Sequence, residues 1–155
     1  MSDNQTSAFP NAEILLIDAI QTIAQSPFGK KHKGHKILRA LEICRSNQKI
    51  SFEEMTDGSR GAEVMGEISI SADFYQKKPG TVLELVHEGT HALHFFHNNP
   101  DFRYDRPERA KPESTHDNAA DEAEARANQL EIYLWLQTQF QGYTDAEMEQ
   151  RLKGL

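Results

Sequence analysis

Residues 83–94 read Leu83-Glu84-Leu85-Val86-His87-Glu88-Gly89-Thr90-His91-Ala92-Leu93-His94, and this stretch limits the fold more than any other part of the chain. It is apolar at helical spacing, yet it carries two histidines four residues apart with a glutamate after the first. On a helix, such histidines lie about 40° apart around the axis and one turn above each other, so His87 and His91 can aim both imidazoles at one ion. Glu88 stands about 100° from His87 and about 60° from His91, on the flank of that ion, where it can take a proton from a bound water without being a ligand. His-Glu-x-x-His within a helix is the pattern that pairs a zinc ion with a general base. A catalytic zinc keeps three protein ligands and one open position, so the fold must carry a third ligand to this helix from elsewhere.

The third ligand is sought on the next helical stretch, about residues 118–141, which offers Asp121, Glu122 and Glu124. Projected at about 100° per residue, Glu122 shares a face with Ala125, Gln129, Ile132, Tyr133, Leu136 and Phe140, the more apolar side of that helix. Glu124 shares a face with Glu131 and Thr138. Glu122 is therefore the expected ligand and Glu124 the alternative. His94 lies one turn beyond His91 and is expected to support the ligands or face substrate. A three-histidine set at the longer spacing would need Gly at 94 and His at 97. The chain has His at both.

The remaining elements follow from periodicity and turn residues. A first helix is expected over about residues 11–25, bracketed by Pro10 and Pro27, and a second helix holds Ile37, Leu38, Leu41 and Cys44. Residues 49–55 and 62–74 alternate as strands and are expected to form an antiparallel hairpin around Asp57-Gly58-Ser59. Thr81 and Glu84 fit a capping box at the start of the histidine helix. Residues 101–117 read as a long ordered loop, the kind of segment that usually carries function. A short helix at about 145–152 ends the chain. One α+β domain over 1–155 follows, with a small antiparallel sheet, a histidine-bearing helix packed on a second ligand-bearing helix, and residues 1–10 expected to be flexible.

With 17 Lys and Arg against 24 Asp and Glu, the formal charge is −7, which argues against a broad nucleic-acid surface. Lys30, Lys31, His32, Lys33, His35 and Lys36 form the one basic run. Without interleaved aromatics it reads as the solvated start of a helix rather than a phosphate site. No apolar run approaches the roughly 20 residues of a membrane helix. The first residues lack the basic start and apolar stretch of a usual secretory signal, so synthesis in the cytoplasm with export, if any, by a dedicated system is expected. The single cysteine, Cys44, is expected to be a buried thiol.

The pair of motifs, His87-Glu88-x-x-His91 on one helix and Glu122-x-x-Ala125 on another, resembles the gluzincin type of zinc metallopeptidase. The wider arrangement over about residues 20–140 is similar to small peptidase domains of bacterial secreted effectors and polymorphic toxins. That resemblance implies a zincin-like fold, a bound Zn2+, hydrolysis of peptide bonds in a specific protein, and a cognate immunity or delivery protein as a further partner. It also implies a donor for the developing oxyanion. Arg103, Tyr104, Arg109, His116 and Tyr133 are the candidates, with Tyr104 and His116 favoured because the 101–117 loop must pass between the ligand helices. The strand over residues 66–72 could hold an extended peptide by its backbone. A peptidoglycan stem-peptide amidase and an inactive zinc-braced binding module are the competing readings.

Overall fold

The computed structural model describes residues 8–111 and 118–154. It is a mixed α+β chain whose helices gather around one central helix and one small sheet. The first helix, α1 (Ala12–Gln25), buries Leu16, Ala19, Thr22 and Ile23 along one face. Ser26 ends it and begins the next, its Oγ accepting the Gly29 N–H at 3.0 Å. Pro27, whose missing N–H costs nothing in a first turn, opens the short helix α2 (Pro27–Lys30). The chain then turns directly into α3 (His32–Ser46). A Cβ at Gly29 would lie 2.0 Å from the Ile23 carbonyl oxygen and one at Gly34 2.1 Å from that of Phe28, so only glycine allows three helices to follow one another this closely.

The expected hairpin is corrected by the sheet. Strands β1 (Ile50–Glu53), β2 (Gly61–Val64) and β3 (Glu67–Ser71) lie in the order β1-β3-β2. The hairpin joins β2 to β3, while β1 runs parallel to β3 with Ile50 opposite Ile68 and Phe52 opposite Ile70. The sheet is therefore mixed rather than antiparallel. Residues 62–74 are not one strand because Met65 and Gly66 both have positive φ, 51° and 78°, which suits a tight two-residue hairpin turn. The Glu63 carboxylate accepts the Gly66 N–H at 2.8 Å and closes it.

Helix α4 (Lys78–Asn98) carries the histidines and packs against α1, α3, β2 and β3. It starts one turn earlier than the capping-box reading requires. Pro79 sits in its first turn, Thr81 is already inside it with Oγ1 directed at the Phe74 and Lys77 carbonyls, and Glu84 pairs with Arg60 instead of capping. The largest helix interface joins α4 to α5 (Ala119–Gln139). Asn118 caps α5 by accepting the N–H groups of Ala120 and Asp121. Asp145 caps the last helix, α6 (Ala146–Lys153), in the same way. One buried cluster runs from Leu16 through Leu41, Ile68 and Leu85 to Leu136 and Met148. Cys44 is buried within it, and burial pushes its thiol up to about 12. Among the described residues no helix is long and apolar enough to cross a membrane.

Candidate metal centre

Every residue of α4 from 80 to 92 is buried, so this helix is enclosed on all sides rather than amphipathic. Small residues make that possible. A Cβ on Gly89 would come within 3.0 Å of Leu41 and 3.1 Å of Ile37, which places α3 directly against the middle of the histidine motif. His87, Glu88 and His91 are consequently held in the interior, and they offer donor atoms that all lie within 4.8 Å of one another, a group that could hold a metal ion. The two imidazole rings have centroids 5.2 Å apart.

Helix α5 runs antiparallel to α4, and its first turns bring carboxylates to the histidines. Glu122 Oε1 is 2.9 Å from His91 Nε2 and 3.3 Å from His87 Nε2, while Oε2 accepts from Arg126 Nε at 3.0 Å. Glu124 points elsewhere. It meets His94 Nε2 at 3.2 Å, and Asp121 meets His94 Nδ1 at 3.3 Å. The buried residues of α5 include Ala125, Gln129, Ile132, Tyr133 and Leu136, the face on which helical projection puts Glu122.

Gln129 sets the state of His87. Its Nε2 donates to the Leu83 carbonyl at 3.1 Å and to Glu84 Oε2 at 2.9 Å, and its Oε1 accepts from Arg151. The amide oxygen is thereby the end that faces His87 Nδ1, at 3.2 Å, so Nδ1 carries the proton and donates. Burial lowers the His87 pKa to about 4, so the ring is neutral at pH 7 and Nε2 holds a lone pair. A lone-pair nitrogen 3.3 Å from a carboxylate oxygen is an electrostatic mismatch, and a cation between them removes it. Two imidazoles and one carboxylate converging in this way could hold a metal ion that accepts nitrogen and oxygen ligands.

Glu88 lies beside this tripod. Its Oε1 is buried and has no hydrogen-bond partner among the described residues. Burial raises its pKa well above the usual carboxylate range, and the nearby Glu84, Glu63 and Glu122 carboxylates add to the rise. The first residue of β2, Gly61, approaches it so closely that a Cβ there would sit 3.3 Å from Glu88 Oε2. The edge strand thus passes directly over the glutamate.

The other expected site residues are placed elsewhere. The Tyr104 hydroxyl donates to the Gly66 carbonyl at 2.6 Å and lies 3.8 Å from Cys44 Sγ, at the hairpin turn. Arg103 pairs with Asp105, Arg109 ends a 3₁₀ turn, Pro107–Arg109, and the Tyr133 hydroxyl donates to Glu149 at 2.5 Å. None of these described contacts includes His87, Glu88, His91 or Glu122. His116, the other favoured oxyanion donor, lies outside the described residues. Strand β3 is paired on both sides, so its backbone is committed to the sheet and cannot hold a peptide. The edge strands are β1 and β2, and β2 is the one that approaches Glu88.

Sequence reasoning missed the network behind the histidines, in which Arg60 reaches Glu84 at 2.9 Å and both oxygens of Asp145 at 2.9 and 2.6 Å, and Arg151 reaches Gln129. The available signal was Gln129 itself, a polar residue two turns below Glu122 on an otherwise apolar face. The chain matches no family model, no curated protein and no solved structure.

Proposed function

We propose that the chain is a zinc-dependent metallopeptidase of the gluzincin type, with His87, His91 and Glu122 as ligands and Glu88 as general base. The observation that supports this best is the convergence of both imidazole Nε2 atoms on one oxygen of Glu122, beside a buried carboxyl that has no structural partner on Oε1. When bound, zinc lowers the pKa of a water towards about 7 and polarises a carbonyl. Gln129 holds His87 with Nε2 free for the ion, and the buried flank of α4 keeps bulk water away from the carboxylates. Glu88 takes the proton of the attacking water as a C–O bond forms at the scissile carbonyl carbon. It then returns that proton to the amine nitrogen as the C–N bond breaks, so the base is regenerated and no other reactant is consumed. Backbone groups on the outer edge of β2, next to Gly61, are placed to align an extended substrate.

An inactive, zinc-braced scaffold is disfavoured by Glu88. A buried carboxyl lacking a full set of partners lowers stability, and a purely structural metal has no use for it. The resemblance to secreted effector peptidases directs the search toward one particular target protein, with a stem-peptide amidase as the alternative substrate class.

The test combines metal analysis with mass spectrometry of newly formed protein termini. Wild type should retain about one zinc per chain, and His91→Ala should lose it. Glu88→Gln should keep the metal and lower turnover by about 10²- to 10⁴-fold. Metal-loaded wild type that produces no new protein termini in a mixed proteome sinks the peptidase reading. A chain that retains no zinc sinks the metal centre with it.

A further inference from the structure

The histidine helix borders a second feature that the proposed chemistry does not use. Between α3 and the last turns of α4 lies a groove of about 530 Å3, within the roughly 300–1,000 Å3 common for ligand sites. Ile43, Leu93 and Phe96 line its apolar part, and Ile43 is 43% exposed. Lys36 and Arg39 stand along its α3 side, three residues apart and so on one helix face. His94 lines the end nearest the metal centre, one helical turn from His91, so a chain bound at the scissile position continues into the groove within a few residues.

The charge distribution identifies the occupant. The whole chain is acidic, at −7, yet His32, Lys33, Lys36 and Arg39 stand along this wall, with Glu124 across from them in the same lining. Lys31 and Lys33 both pair with the single carboxylate of Glu131. Lys36 and Arg39 make no ion pair among the described residues, and both face an apolar trough. Two cations over an apolar floor complement a segment that offers carboxylates and apolar side chains together. In an extended peptide with alternating acidic and apolar residues, the two sets point to opposite sides, one toward the rim and one toward the floor. A phosphate backbone would meet here two cations that make no ion pair among the described residues, with Glu124 also in the lining, and would leave the apolar floor uncovered.

We infer that the groove between α3 and α4, rimmed by Lys36 and Arg39, is a substrate-docking site for an acidic, apolar segment of the target polypeptide a few residues from the scissile bond. This rests on the peptidase reading for its link to cleavage, and binding can be measured without cleavage. Full-length, zinc-loaded Glu88→Gln protein is titrated with a fluorescein-labelled eight-residue peptide alternating Leu and Glu, with its Leu and Lys counterpart, and with a single-stranded oligothymidine.

The Leu-Glu peptide should bind at least tenfold more tightly than the Leu-Lys peptide, and its binding should weaken as salt is raised. Lys36→Glu with Arg39→Glu should reverse that order while zinc content stays the same. Equal binding of the two peptides, tighter binding of the oligonucleotide, or an order unchanged by the double substitution overturns the proposal. The peptide comparison on the parent protein stands even if the double variant fails to fold. A charge preference with no new termini from wild type leaves the groove and removes the peptidase. New termini without a charge preference do the reverse.

Discussion

Glu122 and Glu124 stand two positions apart on α5 and meet different histidines. About 200° of rotation separates them, so one carboxylate turns to the interior tripod and the other to the half-buried His94. Glu122→Ala should lower zinc affinity by more than about 100-fold, beyond the 10- to 100-fold expected for groups that only orient a ligand. Glu124→Ala should leave it within a few-fold, both read by competition with a chromogenic chelator. Gln129 is such an orienting group. Gln129→Leu removes the acceptor for His87 Nδ1 and should weaken zinc by about 10- to 100-fold. In the metal-free protein, 15N-detected spectra should then show His87 losing its single Nδ1-protonated tautomer. An unchanged tautomer would mean that the amide plays only a packing role. That Glu122 turns toward His87 and His91 was legible in the sequence, because its face is apolar and helical projection is reliable over two turns. The role of Gln129 was not, since its meaning depends on Leu83, Glu84 and Arg151 converging on one amide.

At the scale of elements, α4 is enclosed over residues 80–92 because its neighbours approach through small residues. Gly89→Val puts two methyl groups against Leu41 and Ile37, where even a Cβ is tight. It should cost about 1–3 kcal/mol, measured as a fall in the urea midpoint at constant m value. The helices were largely readable from period and punctuation, although Pro27 and Pro79, read as breaks, lie in the first turns of α2 and α4. The strands were not. Residues 62–74 alternate except at Val64-Met65-Gly66, and a Met at positive φ is a weak sign of a turn. The parallel pairing of β1 with β3 is a long-range choice, made because it puts Ile50 and Phe52 beside Ile68 and Ile70 in the core.

Across the whole molecule, Arg60 joins the entry to β2, the middle of α4 and the cap of α6 through Glu84 and Asp145. Burial lifts Glu84 to about 7, against the pull of the Arg60 guanidinium. A carboxyl whose pKa is higher folded than unfolded binds its proton more tightly in the native state. The stability it contributes is therefore full below about 4.5 and is lost as pH rises through about 7. Relative to Glu84→Gln, metal-free wild type should lose up to about 3 kcal/mol between pH 4.5 and 8, followed as urea midpoints across that range. Parallel pH profiles for the two proteins would show that Glu84 is not held in this way.

The sequence by itself determined the histidine helix, the common direction of His87 and His91, and the face of α5 that turns Glu122 toward them. Those are local consequences of a 3.6-residue period and of side-chain chemistry. Only the tertiary structure decided which oxygen meets both imidazoles, which tautomer His87 adopts, that Tyr104 closes a hairpin turn instead of facing the site, and that two unpaired cations border an apolar groove. Each of these depends on groups brought together from distant parts of the chain, and no local pattern encodes such a meeting.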